Sequence, residues 1–184
     1  MDHDLSQTIS LLTRTPAALD ALLRGLPEAW THRNEGKGTW TAFEVVGHLA
    51  YGERTDWMLR AKQILSNRSQ PASDLPAFRP FDRLGQQRES QGKSLSNLLD
   101  EFARLREQNL AELHAFHLKP ADLQLQGRHP AFGLVTLSQL LATWATHDLT
   151  HLHQLSRILA HQYRETVGPW SAYLGVLHCN GHSS

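Results

Sequence analysis

The feature that most constrains this chain lies near its C-terminal end. Positions 140, 144, 147, 151, 154, 158 and 161 advance in alternating steps of four and three, so on a helix they share one face. Their residues are Leu, Trp, His, His, Gln, Ile and His. A stripe spaced like this packs against neighbouring helices, yet its middle turns are polar. Imidazoles and an amide buried there need a partner each. The chain is therefore expected to wrap several helices around an interior that is polar at one level.

The rest of the sequence supplies those helices. Thr136 and Gln139 form a capping box ahead of the striped segment, which should run over residues 137–165 until Gly168-Pro169 stops it. Leu5, Ile9, Leu12, Leu19, Leu22, Leu23 and Leu26 keep helical spacing, with a kink or restart expected at Thr15-Pro16. Thr41 with Glu44 caps a second helix over residues 42–65. Ser94 caps a third, from Leu95 to Phe116, whose charged face of Asp100, Glu101, Arg104, Arg106 and Glu107 reads as solvated. Residues 66–93, with Pro71, Pro76 and Pro80, form a long connection with room for helical turns around Phe81 to Arg88. Residues 119–135 read as irregular, 170–177 as a short packing helix and 180–184 as a frayed tail. No strand-like alternation or internal repeat appears. The expected fold is one all-α helical-bundle domain over residues 1–184.

Charge excludes some functions. Eighteen basic residues balance eighteen acidic ones, so the field that draws proteins to nucleic acid is missing. No apolar run is long enough for a membrane span. One cysteine, Cys179, and a start without a basic and apolar leader point to the cytoplasm.

Twelve histidines are the oddity. Two histidines at i and i+4 can share a metal, but random placement alone would give about 0.8 such pairs in this chain. Two occur, His147/His151 and His178/His182. The second lies in the tail and reads as incidental. The first sits on the core stripe, and His48, flanked by Val45 and Leu49 on the second helix, supplies a third imidazole. Three neutral imidazoles suit zinc or nickel and leave a coordination position open. Separate, hydrogen-bonded core histidines are the competing reading. Glu44 reads as a cap, a metal ligand or a hydrogen-bond acceptor behind one. Asp148 points about 100° away from His147 and could orient an imidazole. Gln154 shares the stripe, to touch a bound water or substrate or to make a buried hydrogen bond. His153 faces elsewhere, and His161 lies too far along the helix to join.

At Trp40-Thr41-Ala42-Phe43-Glu44-Val45-Val46-Gly47-His48-Leu49, at Gly127-Arg128-His129-Pro130-Ala131-Phe132-Gly133 and at His147-Asp148-Leu149-Thr150-His151-Leu152-His153-Gln154, the sequence resembles the DinB-like (DinB/YfiT-like) family of metalloenzymes. The likeness extends over most of the chain. It implies a four-helix bundle of up-down-down-up topology, with the link after the second helix crossing over to a parallel third. It also implies that His48, His147 and His151 bind a divalent metal, nickel or zinc, and that the protein can form a homodimer. Related proteins include thiol-dependent transferases and isomerases as well as proteins labelled hydrolases.

The expectation is thus a metal-dependent enzyme, hydrolase or thiol S-transferase, that activates water or a low-molecular-weight thiol against a small-molecule substrate. Tyr51, Glu53, Trp144, Gln154 and Arg157 are candidate pocket neighbours. The alternatives are a non-catalytic metal-binding or stress-related binding protein, and a helical interaction module without metal.

Overall fold

A computed structural model describes residues 4–83 and 85–179 of the chain. Four long helical segments carry the fold. They are α1 (Leu5–Leu23), the broken pair α3 (Ala42–Thr55) and α4 (Trp57–Ser66), α6 (Leu95–Ala115) and α7 (Leu137–His161). Short α2 (Glu28–Thr31) lies in the first connection and α5 (Gly85–Ser90) in the second. Among the described residues no helix is long and apolar enough to cross a membrane.

The predicted caps are present. Thr41 with Glu44, and Thr136 with Gln139, make reciprocal capping boxes at α3 and α7, and Ser94 with Asn97 makes a third at α6. Each leaves the helix start fixed, so the rows of side chains that follow have a defined direction.

Contacts along the helices give their directions. Gly47 lies against Leu98, Glu53 against Arg106 and Asn109, and Lys62 against Glu112, so α3–α4 and α6 run parallel. Arg106 meets Leu12 while Asp100 meets Arg24, so α1 opposes α6. Thr15 meets Asp148, and Leu19 and Leu23 share a cluster with Leu155 and Ile158, so α1 and α7 run together. The bundle is up-down-down-up, and residues 67–94 are the crossover that a parallel second and third helix require.

Several elements differ from the sequence reading. Pro16 lies inside α1, which continues through it as one helix. Proline removes the N–H that would bond the carbonyl four residues back. That carbonyl, of Leu12, instead accepts from Arg106 Nη1 at 2.8 Å. The second helix is two helices, broken at Asp56 with φ −124° and ψ −77°. Residues 119–135 are not wholly irregular, because β1 (Gln126–His129) pairs antiparallel with β2 (Gly133–Thr136), Gln126 opposite Thr136. Four-residue strands leave too little alternation to detect. α7 stops at His161 and passes into turns, and the 168–177 segment is 3₁₀ rather than α. Residues 180–184 and His182 lie outside the described residues.

The hairpin clamps the crossover. Phe78 N–H donates to the Arg128 carbonyl at 2.8 Å, and the Arg128 guanidinium reaches the carbonyls of Ala72 and Leu75. Gly127 is where the layers meet, since a Cβ there would come within 2.4 Å of the Phe78 ring and 2.8 Å of Ile64.

The largest correction concerns Arg106. Predicted to be solvated, it is 1% exposed. Its guanidinium bridges Asp148 (2.6 and 3.0 Å) and Glu53 (2.8 Å), which are 2% and 3% exposed. Thr15 Oγ1 donates to Asp148 at 2.6 Å, and Trp144 Nε1 and Asn109 Nδ2 donate to Glu53. This charged layer separates an apolar cluster around Leu12, Met58, Leu113 and Leu141 from one around Leu19, Val46, Phe102 and Ile158. Burial opposes the Arg106 charge, but Glu53 and Asp148 more than offset it and hold its pKa above the usual guanidinium range.

Candidate metal centre

Beside this layer, at the level where the α7 stripe turns polar, three imidazoles converge. His48 comes from the second turn of α3, and His147 and His151 from the middle of α7. His147 Nε2 lies 3.1 Å from His48 Nε2 and 3.1 Å from His151 Nε2. One ring nitrogen from each of the three fits within a 4.8 Å group. Two nitrogens sharing a tetrahedral ion at zinc–imidazole bond lengths would stand about 3.3 Å apart. His48 and His151 are buried, and His147 is partly exposed.

The outer nitrogens decide which tautomers are present. His48 Nδ1–H donates to Gln86 Oε1 and His151 Nδ1–H to Gln154 Oε1, each at 2.7 Å. Both rings therefore turn Nε2 lone pairs inward. Whatever tautomer His147 adopts, its Nε2 offers at most one proton to those two lone pairs, and its own Nδ1 has no hydrogen-bond partner among the described residues. Three converging nitrogens with a deficit of protons are a donor set for a cation.

Burial also keeps the trio neutral. Loss of hydration lowers the His48 pKa to about 4 and the His147 pKa to about 2, each lowered further by the neighbouring imidazoles. His151 is lowered by burial too, with Gln154 and Asp148 working the other way. Neutral imidazole is the form that ligates metal.

Gln86 reaches His48 because two helices come unusually close. A Cβ on Gly47 would stand 2.4 Å from Ser90 Oγ, and one on Gly85 would stand 2.2 Å from Tyr51 Oη. A missing side chain on each of α3 and α5 thus lets the crossover lay Gln86 on the imidazole.

Aromatic rings frame the site. Trp40 packs on His48 with centroids 4.9 Å apart and lies nearly parallel to His151, Phe81 meets His48 edge-on, and Trp57 meets His147 edge-on. A cavity of about 230 Å³ opens against His48 and His147, walled by Trp40, Trp57 and Phe81, with Asp56 and Arg83 also on its lining. Asp56 sits there because the helix breaks at it. Its carboxylate is 2.6 Å from Arg60 Nε, and burial raises its pKa against that pairing.

Other sequence candidates fall elsewhere. Glu44 accepts from Thr41 N and Oγ1 as a cap, away from the trio. Trp144 is buried beneath the site and stacks on Trp57 with centroids 5.9 Å apart. Asp148 touches Thr15 and Arg106, and Glu53 belongs to the same layer. Arg157 pairs with both Glu35 oxygens, at 2.6 and 2.7 Å, fastening the loop before α3 to α7. Tyr51 lines a second cavity, of about 200 Å³, that shares Asp56 and Phe81 with the first. His153 is exposed, as expected. Sequence reasoning missed Gln86, Trp57, Phe81, Asp56 and Arg83 as part of this site. Asp56 and Trp57 depend on the helix break, and Gln86, Phe81 and Arg83 on how the crossover folds, which no local spacing encodes.

The sequence model of the DinB superfamily matches residues 11–155, which spans all three histidines. The chain is a member of the DinB superfamily. YfiT from Bacillus subtilis is similar in fold, with a TM-score of 0.74 at 21% identity over 88% of this chain and 89% of that one. That protein is described as a probable metal-dependent hydrolase with an unusual four-helix bundle topology. TT2238, described as a four-helix bundle protein, aligns with a TM-score of 0.53 at 22% identity, over 83% of this chain and 98% of that one. No curated protein matches the sequence.

Proposed function

We propose that this DinB-superfamily protein is a metal-dependent hydrolase of small substrates, with His48, His147 and His151 holding one divalent ion, zinc or nickel. The observation that carries this reading is the donor set itself: inward lone pairs fixed by Gln86 and Gln154, with a cavity opening directly against two of the three rings. Bound by three neutral imidazoles, such an ion supplies Lewis acidity and lowers the pKa of a water or thiol that shares it.

The residues around it have separable tasks. Gln86 and Gln154 keep both Nδ1 protons in place, which holds His48 and His151 as donors and fixes their ring planes. Trp40, Trp57 and Phe81 exclude bulk water from one side of the cavity and give a substrate an apolar seat. Asp56 is the carboxyl group on the cavity wall, and its raised pKa suits it to take a proton and return it to a leaving group. A cavity of about 230 Å³ admits a water and a small substrate together, which suits hydrolysis. The open cavity likewise favours catalysis over a purely structural ion, whose coordination would be closed.

Cobalt substitution tests the assignment. A cobalt-loaded protein should show visible d–d bands that shift with pH near neutrality and with small carboxylic esters or amides, and should hydrolyse some of them. A shift with glutathione, bacillithiol or mycothiol, without hydrolysis, would replace the hydrolase reading by thiol transfer. Bands insensitive to pH and to every added ligand would make the protein a metal-binding one without an open position.

A further inference from the structure

Resting on the reading of this cavity as a substrate site, the charges around its mouth narrow the substrate class. Arg83 lines the cavity, and Arg79 lines the adjoining one that shares Asp56 and Phe81. Both are exposed, on the crossover segment that also carries Phe81. The nearby acidic groups already have cations. Asp56 pairs with Arg60, and Asp82 with Arg88 at 2.5 Å. Among the described residues, neither Arg79 nor Arg83 has a hydrogen-bond or ion-pair partner, whereas Arg54, Arg60, Arg88, Arg106, Arg128 and Arg157 all do. An unpaired guanidinium at the rim of an aromatic-walled pocket is a fork for a planar anion.

We propose that the cavity takes a small carboxylate with a flat apolar body, its carboxylate paired with Arg83 at the rim, its body between Trp40, Trp57 and Phe81, and its reacting end facing His48 and His147. A single guanidinium with the Asp56 carboxyl on the same wall matches one negative charge better than the two of a phosphate ester. The volume sets the size. At about 30 Å³ per water molecule, 230 Å³ displaces on the order of eight waters, which corresponds to a body of one ring or a short chain. Arg83 is thus a specificity-determining residue for the anion.

Benzoate and benzamide are probes of the same shape that differ in charge, and calorimetric titration of the metal-free protein reads the preference without any contribution from an ion. Benzoate should bind about tenfold more tightly than benzamide. Arg83→Gln should bring benzoate down to the affinity of benzamide, while Arg79→Gln should retain the preference. Equal affinities for the two probes, a preference that survives Arg83→Gln, or no binding of millimolar benzoate would each overturn the proposal. Metal content measured on the same protein before the ion is stripped, and again after dialysis against zinc or nickel, keeps this separate from the metal reading. Protein that holds metal but shows no Arg83-dependent preference refutes the substrate class alone, and protein that takes up no metal but keeps the preference refutes the metal centre alone.

Discussion

Replacing Arg106 with methionine should destabilise the protein more than any single change on the outer faces of the bundle. Methionine can fill the channel between α1, α3 and α7 with its flexible chain, but it offers nothing to the groups that Arg106 now satisfies. Those are two carboxylates, Glu53 and Asp148, both almost wholly buried, and the Leu12 carbonyl that Pro16 leaves without a helical donor. Removing one partner of a buried ionic cluster costs about 3–5 kcal/mol, since the remaining charge is neither paired nor hydrated. For a chain of this size that corresponds to a fall in Tm of about 10–15 °C. Urea and thermal unfolding of metal-free protein, followed by circular dichroism at pH 7, would read the loss. Arg104→Met on the exposed face is the control and should stay within about 0.5 kcal/mol. The Leu12 carbonyl can be isolated by a double-mutant cycle with Pro16→Ala. An alanine N–H at position 16 would reach that carbonyl, so it should recover about 1 kcal/mol of the Arg106→Met loss. A loss below about 1 kcal/mol for Arg106→Met would refute the buried charged layer, and strict additivity in the cycle would refute the link between Pro16 and Arg106.

The metal-free protein should lose stability as pH falls from 6.5. The folded pKa values of His48 and His147 lie below the unfolded value, so the unfolded chain takes up protons that the native state refuses. His48 alone then costs about 1.4 kcal/mol per pH unit until about pH 4, and urea midpoints at pH 7, 6 and 5 should fall in that order. Flat midpoints would mean that the imidazoles are not held neutral. Gln86→Leu should weaken divalent-metal affinity by about 10–100-fold while leaving the helical circular dichroism signal intact, since it frees the His48 tautomer rather than removing a ligand. Gly85→Ala should produce a similar loss through displacement of α5 by the Tyr51 hydroxyl, with Gly85→Ala/Tyr51→Phe recovering part of it. Asp56→Asn should lower kcat on any substrate found and leave metal content unchanged.

What the sequence revealed and what it hid divide by range. Caps at Thr41, Ser94 and Thr136 and the 3.6-residue rows are local signals, and they placed the four long helical segments. The α7 stripe is local too, and it marked His147, His151 and Gln154 as sharing one face. His48 was visible as a lone imidazole on an otherwise apolar helix face. Arg106 was misread because spacing on α6 alone makes it one more charge among Arg104 and Glu107. Its burial follows from Glu53 and Asp148 on two other helices. The unbroken passage of α1 through Pro16 was hidden for the same reason, because the guanidinium that satisfies Leu12 comes from 94 residues away. Asp56 hides a helix break inside a continuous apolar pattern. Gln86 and Arg83 lie in a proline-rich crossover, where position depends on the Gly47 and Gly85 contacts and on the Arg128 clamp.

The central claim is that three imidazoles hold one divalent ion. Metal content of untagged protein by inductively coupled plasma mass spectrometry, for the native sequence and for His48→Ala, His147→Ala and His151→Ala, addresses it most directly. The geometry predicts about one zinc or nickel per chain in the native protein and a loss in all three variants. A native protein that stays metal-free after dialysis against both ions, or variants that keep the native metal content, would contradict it and return the three histidines to the bundle core.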